Sequence, residues 1–559
     1  YWPVSYAQAR HALKELHRTP RSVLDLGSGP APLAMAALDH GVGLASGYPG
    51  TPSTEILEVL GALGGPARWA PNEKVALEVG LGAAFGGARA LVTMKHVGLN
   101  VAADVLFTAA YTGVTGGLVV VSADDPGMAS SQNEQDNRRY AVAAGVPMLE
   151  PRDAQDAYDL CGLALELSER FGLPVLFRMT TRVCHARSVL VRRRRPLAAA
   201  TPRFERDIAA RVMIPANARP AHRRLRERLR AVAAWAETAP VAVEHRGDAA
   251  LGLITAGVSA LHAREAAPEA SALELLLTHP LPLERIARFV GSVERALVVE
   301  EGDPVLFEQL RAAGLDVAGR PEAFRFGELS VPRLRRLLAG DATPEPEPPR
   351  GRPPEFCKGC PHRSVFGVFA RHGLIVSGDI GCYTLAALPP LEAMDTCVCM
   401  GASIGVGLGL RHVLPPEQAR RVVSVIGDST FVHSGLTGLA ELVYNPPATG
   451  HVVVIVDNGT TAMTGQQEHP GTGRTLTHAP TRQLRIEAVA AALGVERVAV
   501  IDPYADAAGF ERELLAALET PVTTVIVARR ACLLAARRAH EAARAEAACP
   551  GPAAEGGGA

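Results

Sequence analysis

The chain has 559 residues, more than one hydrophobic core usually serves, so we expect about three domains. Its 57 lysine and arginine residues nearly balance its 58 aspartate and glutamate residues, and without a basic excess nucleic acid is a poor candidate partner. There is no apolar run of about 18 residues and no signal peptide, and nine cysteines in so long a chain do not indicate a secreted disulfide framework. We therefore expect a cytoplasmic protein with no membrane partner.

Residues 1–32 are a segment of uncertain origin. Ser22–Pro30 predicts a strand that runs into a glycine turn, similar to the first motif of S-adenosylmethionine-dependent methyltransferases. Only about 30 residues carry this pattern, and a lone glycine turn of this kind is a weak signal. We interpret it as a remnant or fusion scar, with methyltransferase activity as an alternative.

The rest of the chain alternates short apolar runs with helical stretches. With 48% hydrophobic residues, 5% aromatic residues and 54 glycines, this pattern is typical of an α/β enzyme. Runs such as Ala90–Met94, Val422–Ile426 and Val452–Val456 predict buried parallel strands, whose sheets bind ligands at the carboxyl ends of the strands. We assign a first α/β domain to 33–200, a connecting segment after the basic run Arg192–Arg195 to 201–248, a second α/β domain to 249–340, a proline-rich acidic linker to 341–354, a third α/β domain to 355–532 and a helical tail to 533–559.

Two polar motifs end apolar runs in the third domain. Gly427-Asp428-Ser429 ends one run, and Asp457-Asn458-Gly459 ends another about 30 residues later. A magnesium ion that bridges a diphosphate needs hard oxygen ligands, which a carboxylate, an amide oxygen and a backbone carbonyl can supply. By itself Gly-Asp-Ser is more often a strand-to-helix turn with a capping side chain. Paired at this spacing, the motifs resemble the thiamine diphosphate signature, which implies magnesium ligands at Asp428, Asn458 and the Thr460 carbonyl, with Gly427 and Ser429 beside the cofactor.

Further motifs make the resemblance specific. They resemble the large, thiamine-diphosphate-binding (alpha) subunit of indolepyruvate ferredoxin oxidoreductase, within the 2-oxoacid:ferredoxin oxidoreductase superfamily. The resemblance covers about residues 33–532. It implies a multi-domain α/β fold in which two thiamine-diphosphate-binding parallel-sheet domains, for pyrimidine and diphosphate, flank a transketolase-C-like α/β domain. The segments that carry it are Gly47–Glu55, Phe356–Arg363, Gly378–Thr384, Met400–Ile404 and Thr461–Gly465, and they add Gly381, Cys382, Gly401, Ala402 and Ser403 as cofactor-binding residues.

In the pyrimidine domain the resemblance implies catalytic residues. Glu73, at the start of a predicted helix, matches the glutamate that contacts the aminopyrimidine ring in such enzymes, although a glutamate there is commonly a helix-dipole complement. Thr51 matches the position that approaches the substrate carbonyl. Lys95, His96 and Asn100 follow a strand end and are candidates for the substrate carboxylate, with capping or surface roles as the alternative. The family-like stretch Ser130–Asp136 has no chemistry that we can assign.

Four of the nine cysteines stand at family-like positions. Cys357 and Cys360 form a CxxC, Cys382 follows, and Cys532 comes after a predicted strand. The resemblance implies that these four bind one [4Fe–4S] cluster; a zinc or redox pair, or simple packing, is the alternative for the CxxC. Cys397 and Cys399 alternate along a short segment and are predicted to be core residues.

The end of the chain departs from the family pattern. The family usually carries a C-terminal ferredoxin-like module with two further clusters. After Cys532 only Cys549 remains, and the repeated cysteine pattern of that module is absent. We therefore do not expect those two clusters here, and another subunit is an alternative site for the electron relay.

The resemblance implies oxidative decarboxylation of an arylpyruvate, indole-3-pyruvate, to an aryl-acetyl-coenzyme A and carbon dioxide. Thiamine diphosphate and Mg²⁺ are the expected cofactors, and electrons would pass through iron–sulfur centres to ferredoxin. Coenzyme A and a small beta- or gamma-type subunit are expected partners, in an oligomer. A non-redox thiamine-dependent decarboxylase or carboligase and an inactive scaffold subunit remain alternatives.

Overall fold

The computed structural model of the protein describes residues 23–26, 30–186, 188–192, 197–198, 201–345, 354–538 and 541. The chain divides into two compact units, Tyr1–Pro348 and Pro349–Ala559. The glycine turn of Ser22–Pro30, most of the basic run Arg192–Arg195, the centre of the proline-rich linker and most of the tail lie outside the described residues.

Short strands alternate with helices along both units, as repeated βα units require. The described strands are β1 Val23–Leu26, β2 Leu44–Gly47, β3 Ala67–Trp69, β4 Ala90–Lys95, β5 Leu118–Asp124, β6 Met148–Leu149, β7 Val175–Thr180, β8 Ser188–Val191, β9 Ala242–His245, β10 Asp248–Ala256, β11 Ala270–Leu275, β12 Leu277–His279, β13 Ala296–Val299, β14 Ile375–Gly378, β15 Thr396–Cys397, β16 Val422–Gly427, β17 His451–Asp457, β18 Arg497–Ile501 and β19 Thr523–Arg529.

The helices cover the faces of these sheets. They are α1 Pro30–Asp39, α2 Thr54–Ala62, α3 Glu73–Phe85, α4 His96–Thr112, α5 Arg138–Ala144, α6 Ala154–Phe171, α7 Thr181–His185, α8 Ile208–Arg211, α9 Pro215–Ala236, α10 Ser259–Ala266, α11 Leu283–Val290, α12 Val305–Ala312, α13 Val331–Leu338, α14 His362–Arg371, α15 Ala402–Val413, α16 Pro416–Ala419, α17 Asp428–Thr430, α18 Leu436–Tyr444, α19 Ile486–Ala492 and α20 Ala507–Glu519. Short 3₁₀ helices occur at Glu322–Phe324 and Cys382–Ala387, and a π-helical turn at Phe431–Gly435.

The first unit contains two larger sheets in which parallel pairs predominate. A seven-stranded sheet has the order β12-β6-β7-β5-β4-β2-β3, and a four-stranded sheet has the order β13-β10-β11-β9. Only the edge strands β12 and β9 pair antiparallel in these two sheets. Strands β4, β5 and β7 are buried along their whole length, which explains their continuous apolar sequences.

The N-terminal strand β1 lies in a separate two-stranded sheet, where it pairs antiparallel with β8. Nucleotide-binding glycine turns of the kind considered for Ser22–Pro30 follow strands of a parallel sheet. The pairing of β1 therefore differs from what the methyltransferase alternative requires.

A network of buried charges joins the two larger sheets of the first unit. Arg138, at the start of α5, donates to Asp136 and to Glu300, which follows β13. Its guanidinium also donates to the carbonyl of Glu301 at 2.8 Å. Arg178 on β7 pairs with Asp124 at 2.6 Å and with Glu150 at 2.8 Å. These side chains satisfy one another where water is excluded, so the network fixes the loop between β5 and α5.

The second unit contains one six-stranded parallel sheet of order β15-β14-β16-β17-β19-β18. Strands β16 and β17 are neighbours at its centre, with Gly427 opposite Val456. Apolar side chains from β16, β17 and β19 fill cores on both faces of the sheet. The predicted α/β class with parallel sheets is confirmed.

The described residues include no helix long and apolar enough to cross a membrane.

Candidate thiamine diphosphate and metal site

The carboxyl ends of β16 and β17 bring two of the predicted magnesium ligands to one edge of the sheet. Asp428 begins α17 directly after β16, and its buried carboxylate accepts the Gly459 N–H at 2.8 Å. The same oxygen, Oδ2, lies 3.1 Å from Nε2 of His469. Burial alone would raise the pKa of Asp428, but its contact with His469 outweighs this effect, and the pKa lies below its usual value. The carboxylate is therefore charged and held in one orientation.

Asn458 follows β17 and is bonded on both sides of its amide. Its Oδ1 accepts the Thr460 N–H at 3.1 Å, and its Nδ2 lies 3.3 Å from Nε2 of His362. Burial lowers the pKa of His362 to about 4, so the ring is neutral at physiological pH. Its Nε2 can therefore accept a hydrogen bond from the Asn458 amide. The Asn458 carbonyl in turn accepts the Cys532 N–H at 2.9 Å. Asn458 thus contacts both the CxxC segment and the turn that carries Cys532.

The loop after Asn458 is tied back to the neighbouring strand end. The hydroxyl of Thr461 donates to that of Ser429 at 2.8 Å, and the hydroxyl of Thr460 donates to the carbonyl of Gln467 at 3.1 Å. Gly459 has a φ of 71°, and a Cβ built there would meet nothing within 4 Å. The Asp428 and Asn458 ends therefore form one hydrogen-bonded unit beside open space.

Asp379 organises the remaining predicted cofactor residues. Its buried carboxylate accepts the N–H groups of Gly401 at 2.9 Å and Ser403 at 3.0 Å, at the start of α15. These two amides donate to Asp379, and the Ala402 N–H donates to the Cys399 carbonyl at 3.1 Å. Gly401, Ala402 and Ser403 would therefore form the wall of a cofactor site without supplying free amides to it. Gly401 has a φ of 89°, and a Cβ there would overlap Ser434, so the position requires glycine.

Tyr383 links the Gly381-Cys382 turn to the end of β16. Its buried hydroxyl accepts the Gly427 N–H at 2.9 Å and donates to the Ile380 carbonyl at 3.2 Å. Cys382 begins the 3₁₀ helix Cys382–Ala387 beside it. The predicted residues Gly381, Cys382, Gly427, Asp428 and Ser429 therefore belong to one hydrogen-bonded edge of the sheet.

The donor set at this edge suits a hard cation. A charged carboxylate, an amide oxygen and a backbone carbonyl are the oxygen ligands that Mg²⁺ prefers, with water and phosphate completing its octahedron. Asp428, Asn458 and Thr460 provide these donors from two adjacent strand ends. Among the described residues, no three His, Cys, Asp or Glu side chains are grouped as a closed metal site. A site completed by cofactor phosphates needs only one such side chain.

The four candidate cluster cysteines affect one another's pKa values, although the described residues do not group three of them as a metal site. Burial raises the pKa of the Cys382 thiol to about 12, and the nearby Cys360, Cys532 and Cys357 contribute to the rise. Burial likewise raises the pKa of Cys360 to about 11, with contributions from Cys357 and Cys532. A cationic metal centre would remove this mutual repulsion by taking the thiolates, so the four cysteines remain candidate ligands of an iron–sulfur cluster.

The prediction that Cys397 and Cys399 are core residues is wrong. Both thiols are exposed in the second unit. The reason is that β15 has only two residues and lies at the edge of the six-stranded sheet, so the alternating pattern does not face a second layer.

In the first unit, Glu73 is the first residue of α3 and is buried. The Asn72 side chain caps this helix by accepting the Val75 N–H at 2.9 Å. A Cβ on Gly98 of α4 would lie 2.6 Å from Oε1 of Glu73, so glycine allows the carboxylate to lie against that helix. Thr51 lies in the turn between β2 and α2, beyond the carboxyl end of β2 in the seven-stranded sheet.

The predicted substrate residues Lys95, His96 and Asn100 contact the family-like stretch Ser130–Asp136. Nζ of Lys95 donates to the Ser130 carbonyl at 2.7 Å, and Asn100 bonds to the Gln135 amide. Burial lowers the pKa of Lys95. His96 is fully buried, with Nε2 3.2 Å from the Asn133 carbonyl. The structure thus brings these three residues into contact with one loop, Ser130–Asp136. Lys95 is held by its bond to the Ser130 carbonyl.

Sequence reasoning missed four residues that shape the second-unit site. Asp379, His362 and Tyr383 stand inside motifs that carry the family resemblance, so their position was a usable signal. His469 lies in a loop without periodicity, 11 residues beyond Asn458, and had no signal of its own.

Comparison with known proteins agrees with this geometry. Residues 35–207 match the family described as pyruvate flavodoxin/ferredoxin oxidoreductase, thiamine diphosphate-binding, and residues 379–528 match the thiamine pyrophosphate enzyme, C-terminal TPP binding domain. The indolepyruvate oxidoreductase subunit IorA of Archaeoglobus fulgidus is 38% identical over 550 residues, covering 92% of this chain and 87% of that protein. The chain belongs to the IorA family.

Another IorA subunit, from Pyrococcus abyssi, is 39% identical over 557 residues, covering 90% of this chain and 85% of that one. A solved 2-oxoglutarate:ferredoxin oxidoreductase from Magnetococcus marinus matches 58% of this chain and 65% of its own, with 17% identity and a TM-score of 0.49. Membership of the IorA family confirms the predicted family and the oxidoreductase class. The two matched regions are thiamine diphosphate-binding domains.

Proposed function

We propose that this IorA-family chain is the thiamine-diphosphate-binding subunit of an enzyme that oxidatively decarboxylates arylpyruvates, with indole-3-pyruvate as the main substrate. The products would be an aryl-acetyl-coenzyme A and carbon dioxide, and the electrons would pass to ferredoxin. The observation that carries the proposal is the hydrogen-bonded edge of the sheet: Gly459 donates to Asp428, and the adjacent Asn458 bonds to His362 and accepts the Cys532 N–H.

When bound, thiamine diphosphate supplies the nucleophilic carbon and the electron sink that decarboxylation of a 2-oxoacid requires. Asp428, Asn458 and the Thr460 carbonyl would hold Mg²⁺ against its diphosphate. The wall around the diphosphate would be formed by Gly381, Cys382, Gly401, Ala402, Ser403, Gly427 and Ser429.

Glu73 and Thr51 are the proposed catalytic residues of the first unit. The buried Glu73 carboxylate would exchange a proton with the aminopyrimidine ring, and Thr51 would contact the substrate carbonyl. Lys95, with His96 and Asn100, would bind the substrate carboxylate once the Ser130 carbonyl releases its ammonium group. The predicted boundaries follow these roles, with a pyrimidine domain at 33–200, a transketolase-C-like domain at 249–340 and a diphosphate domain at 355–532.

The electron path would begin at one [4Fe–4S] cluster held by Cys357, Cys360, Cys382 and Cys532. A cluster needs four thiolates, and the mutual effect of these thiols on their pKa values supports the assignment. The relatives are named as subunits, which supports a smaller partner that completes coenzyme A binding and the electron relay.

The test uses anaerobically purified protein co-expressed with the neighbouring small subunit. We expect about four irons, one Mg²⁺ and one thiamine diphosphate per chain, and bleaching of the cluster absorbance when indolepyruvate and coenzyme A are added. C382S should lose the iron, whereas C399S, which changes an exposed thiol outside the set of four, should keep it. Thiamine diphosphate without iron, with decarboxylation intact, would replace this proposal by a non-redox decarboxylase.

A further inference from the structure

His469 is a buried histidine whose two ring nitrogens both have hydrogen-bond partners. Nδ1 accepts the Gly471 N–H at 3.2 Å, and Nε2 lies 3.1 Å from Oδ2 of Asp428. The ring is 5% exposed. A Cβ on Gly471 would lie 2.8 Å from Cε1 of the ring, so glycine permits this close approach. The surrounding backbone therefore fixes the ring in place.

The backbone contact also fixes the tautomer of the ring. An amide N–H can only donate, so Nδ1 of His469 must present its lone pair to Gly471. In the neutral ring the proton then resides on Nε2, from which it donates to Asp428. Oδ2 of Asp428 consequently receives two donors, this one and the Gly459 N–H at 2.8 Å.

Two donors on one oxygen restrict the rotation of the Asp428 carboxylate and favour its charged form. A cation would bind through lone pairs that these two donors do not use. Groups that orient a metal ligand in this way commonly change metal affinity by about 10–100-fold when they are removed. Asp428 is the one charged ligand of the proposed site, so its orientation governs how strongly the site attracts Mg²⁺.

We propose that His469 is a positioning residue for the divalent cation: its Nε2–H holds the Asp428 carboxylate in the orientation that binds Mg²⁺ with the diphosphate. The inference rests on the proposed function, because it presumes that Asp428 binds the cation of thiamine diphosphate. The inference gives a role to the loop after Asn458, which lies outside the motif that supplies the proposed Mg²⁺ ligands.

Two substitutions test the donor Nε2 and the acceptor Nδ1 of the ring separately. Nε2 of glutamine reaches the position of the histidine Nε2, so H469Q keeps a donor to Asp428. The shorter side chain of H469N reaches only the position of Nδ1 and leaves Asp428 without that donor. H412Q, at an exposed histidine in the last turn of α15, is the matched control.

The experiment measures thiamine diphosphate binding by titration calorimetry at a series of Mg²⁺ concentrations, on the anaerobic complex stripped of cofactor. For H469N we expect the Mg²⁺ concentration for half-maximal binding to rise about 10–100-fold. Excess Mg²⁺ should restore full stoichiometry, because only affinity has been lost. H469Q and H412Q should bind as the wild type does, and the melting temperature without cofactor should be the same for all three variants.

Wild-type Mg²⁺ dependence in H469N would overturn the inference. So would equal loss in H469Q and H469N with a lowered melting temperature that excess Mg²⁺ does not correct, since that pattern means the ring only fills space. Failure of the wild-type complex to bind thiamine diphosphate with Mg²⁺ would overturn the proposed function itself.

Discussion

Replacing Arg138 by methionine should strongly destabilise the first unit. The guanidinium is 2% exposed and donates to Asp136, Glu300 and two backbone carbonyls. Methionine keeps most of the stem but leaves two buried carboxylates without their main partner. Removing one member of a buried ion pair costs about 3–5 kcal/mol, so we expect a loss of that size in the free energy of unfolding.

The adjacent Arg139 provides the control. It pairs with Asp303 and Glu308, but all three side chains are 49% exposed. Exposed ion pairs contribute about 0–1 kcal/mol, so R139M should change the free energy of unfolding by no more than that. All three tryptophans of the chain precede residue 236, and Trp69 and Trp235 lie in the described part of the first unit, so urea unfolding followed by tryptophan fluorescence reports on it.

The loss in R138M should depend on pH. Burial alone would raise the pKa of Asp136, but Arg138 and Arg178 hold it well below its usual range. A carboxyl with a lowered folded-state pKa adds stability above its unfolded pKa and loses it as the pH falls through the folded value. Without Arg138 that contribution shrinks, so the difference between wild type and R138M should be full near pH 7 and should shrink as the pH falls below about 4, the usual pKa of the unfolded carboxyl. An equal loss in R138M and R139M, or a loss independent of pH, would refute this reasoning.

Three other outcomes can be measured. Y383F should lose about 1–3 kcal/mol of second-unit stability, seen as a lower melting temperature, because it leaves the buried Gly427 N–H without an acceptor; Y444F, at a residue that is 81% exposed, should not. E73Q should retain thiamine diphosphate in calorimetry but lose turnover by about 10²-fold or more, and turnover near the wild-type rate would remove Glu73 from catalysis. Iron-free protein should react slowly with iodoacetamide at Cys382 at pH 8, because burial raises that pKa to about 12 and leaves the thiol neutral; fast mass-spectrometric labelling there would contradict it.

The sequence by itself determined the fold class and the position of the diphosphate motif. The apolar runs of β16 and β17 identify buried parallel strands because both faces of such strands are covered. Parallel strands end at the same edge of a sheet, so Asp428 and Asn458 could be expected to lie near each other. The proposal that Cys357, Cys360, Cys382 and Cys532 bind one cluster rests on family-like positions, since their separation in sequence shows no such regularity.

Only the tertiary structure decided which side chains contact these residues. The contact of His469 with Asp428 depends on the path of a loop, whose conformation has no periodic sequence pattern to read. His362, the first residue of α14, bonds to Asn458 across 96 residues of sequence. The exposure of Cys397 and Cys399 depended on whether a second layer covers a two-residue edge strand. Arg138 and Glu300 are 162 residues apart, and they meet because two sheets pack together. Local sequence sets strands and turns, whereas contacts between distant side chains arise from packing that the whole chain specifies.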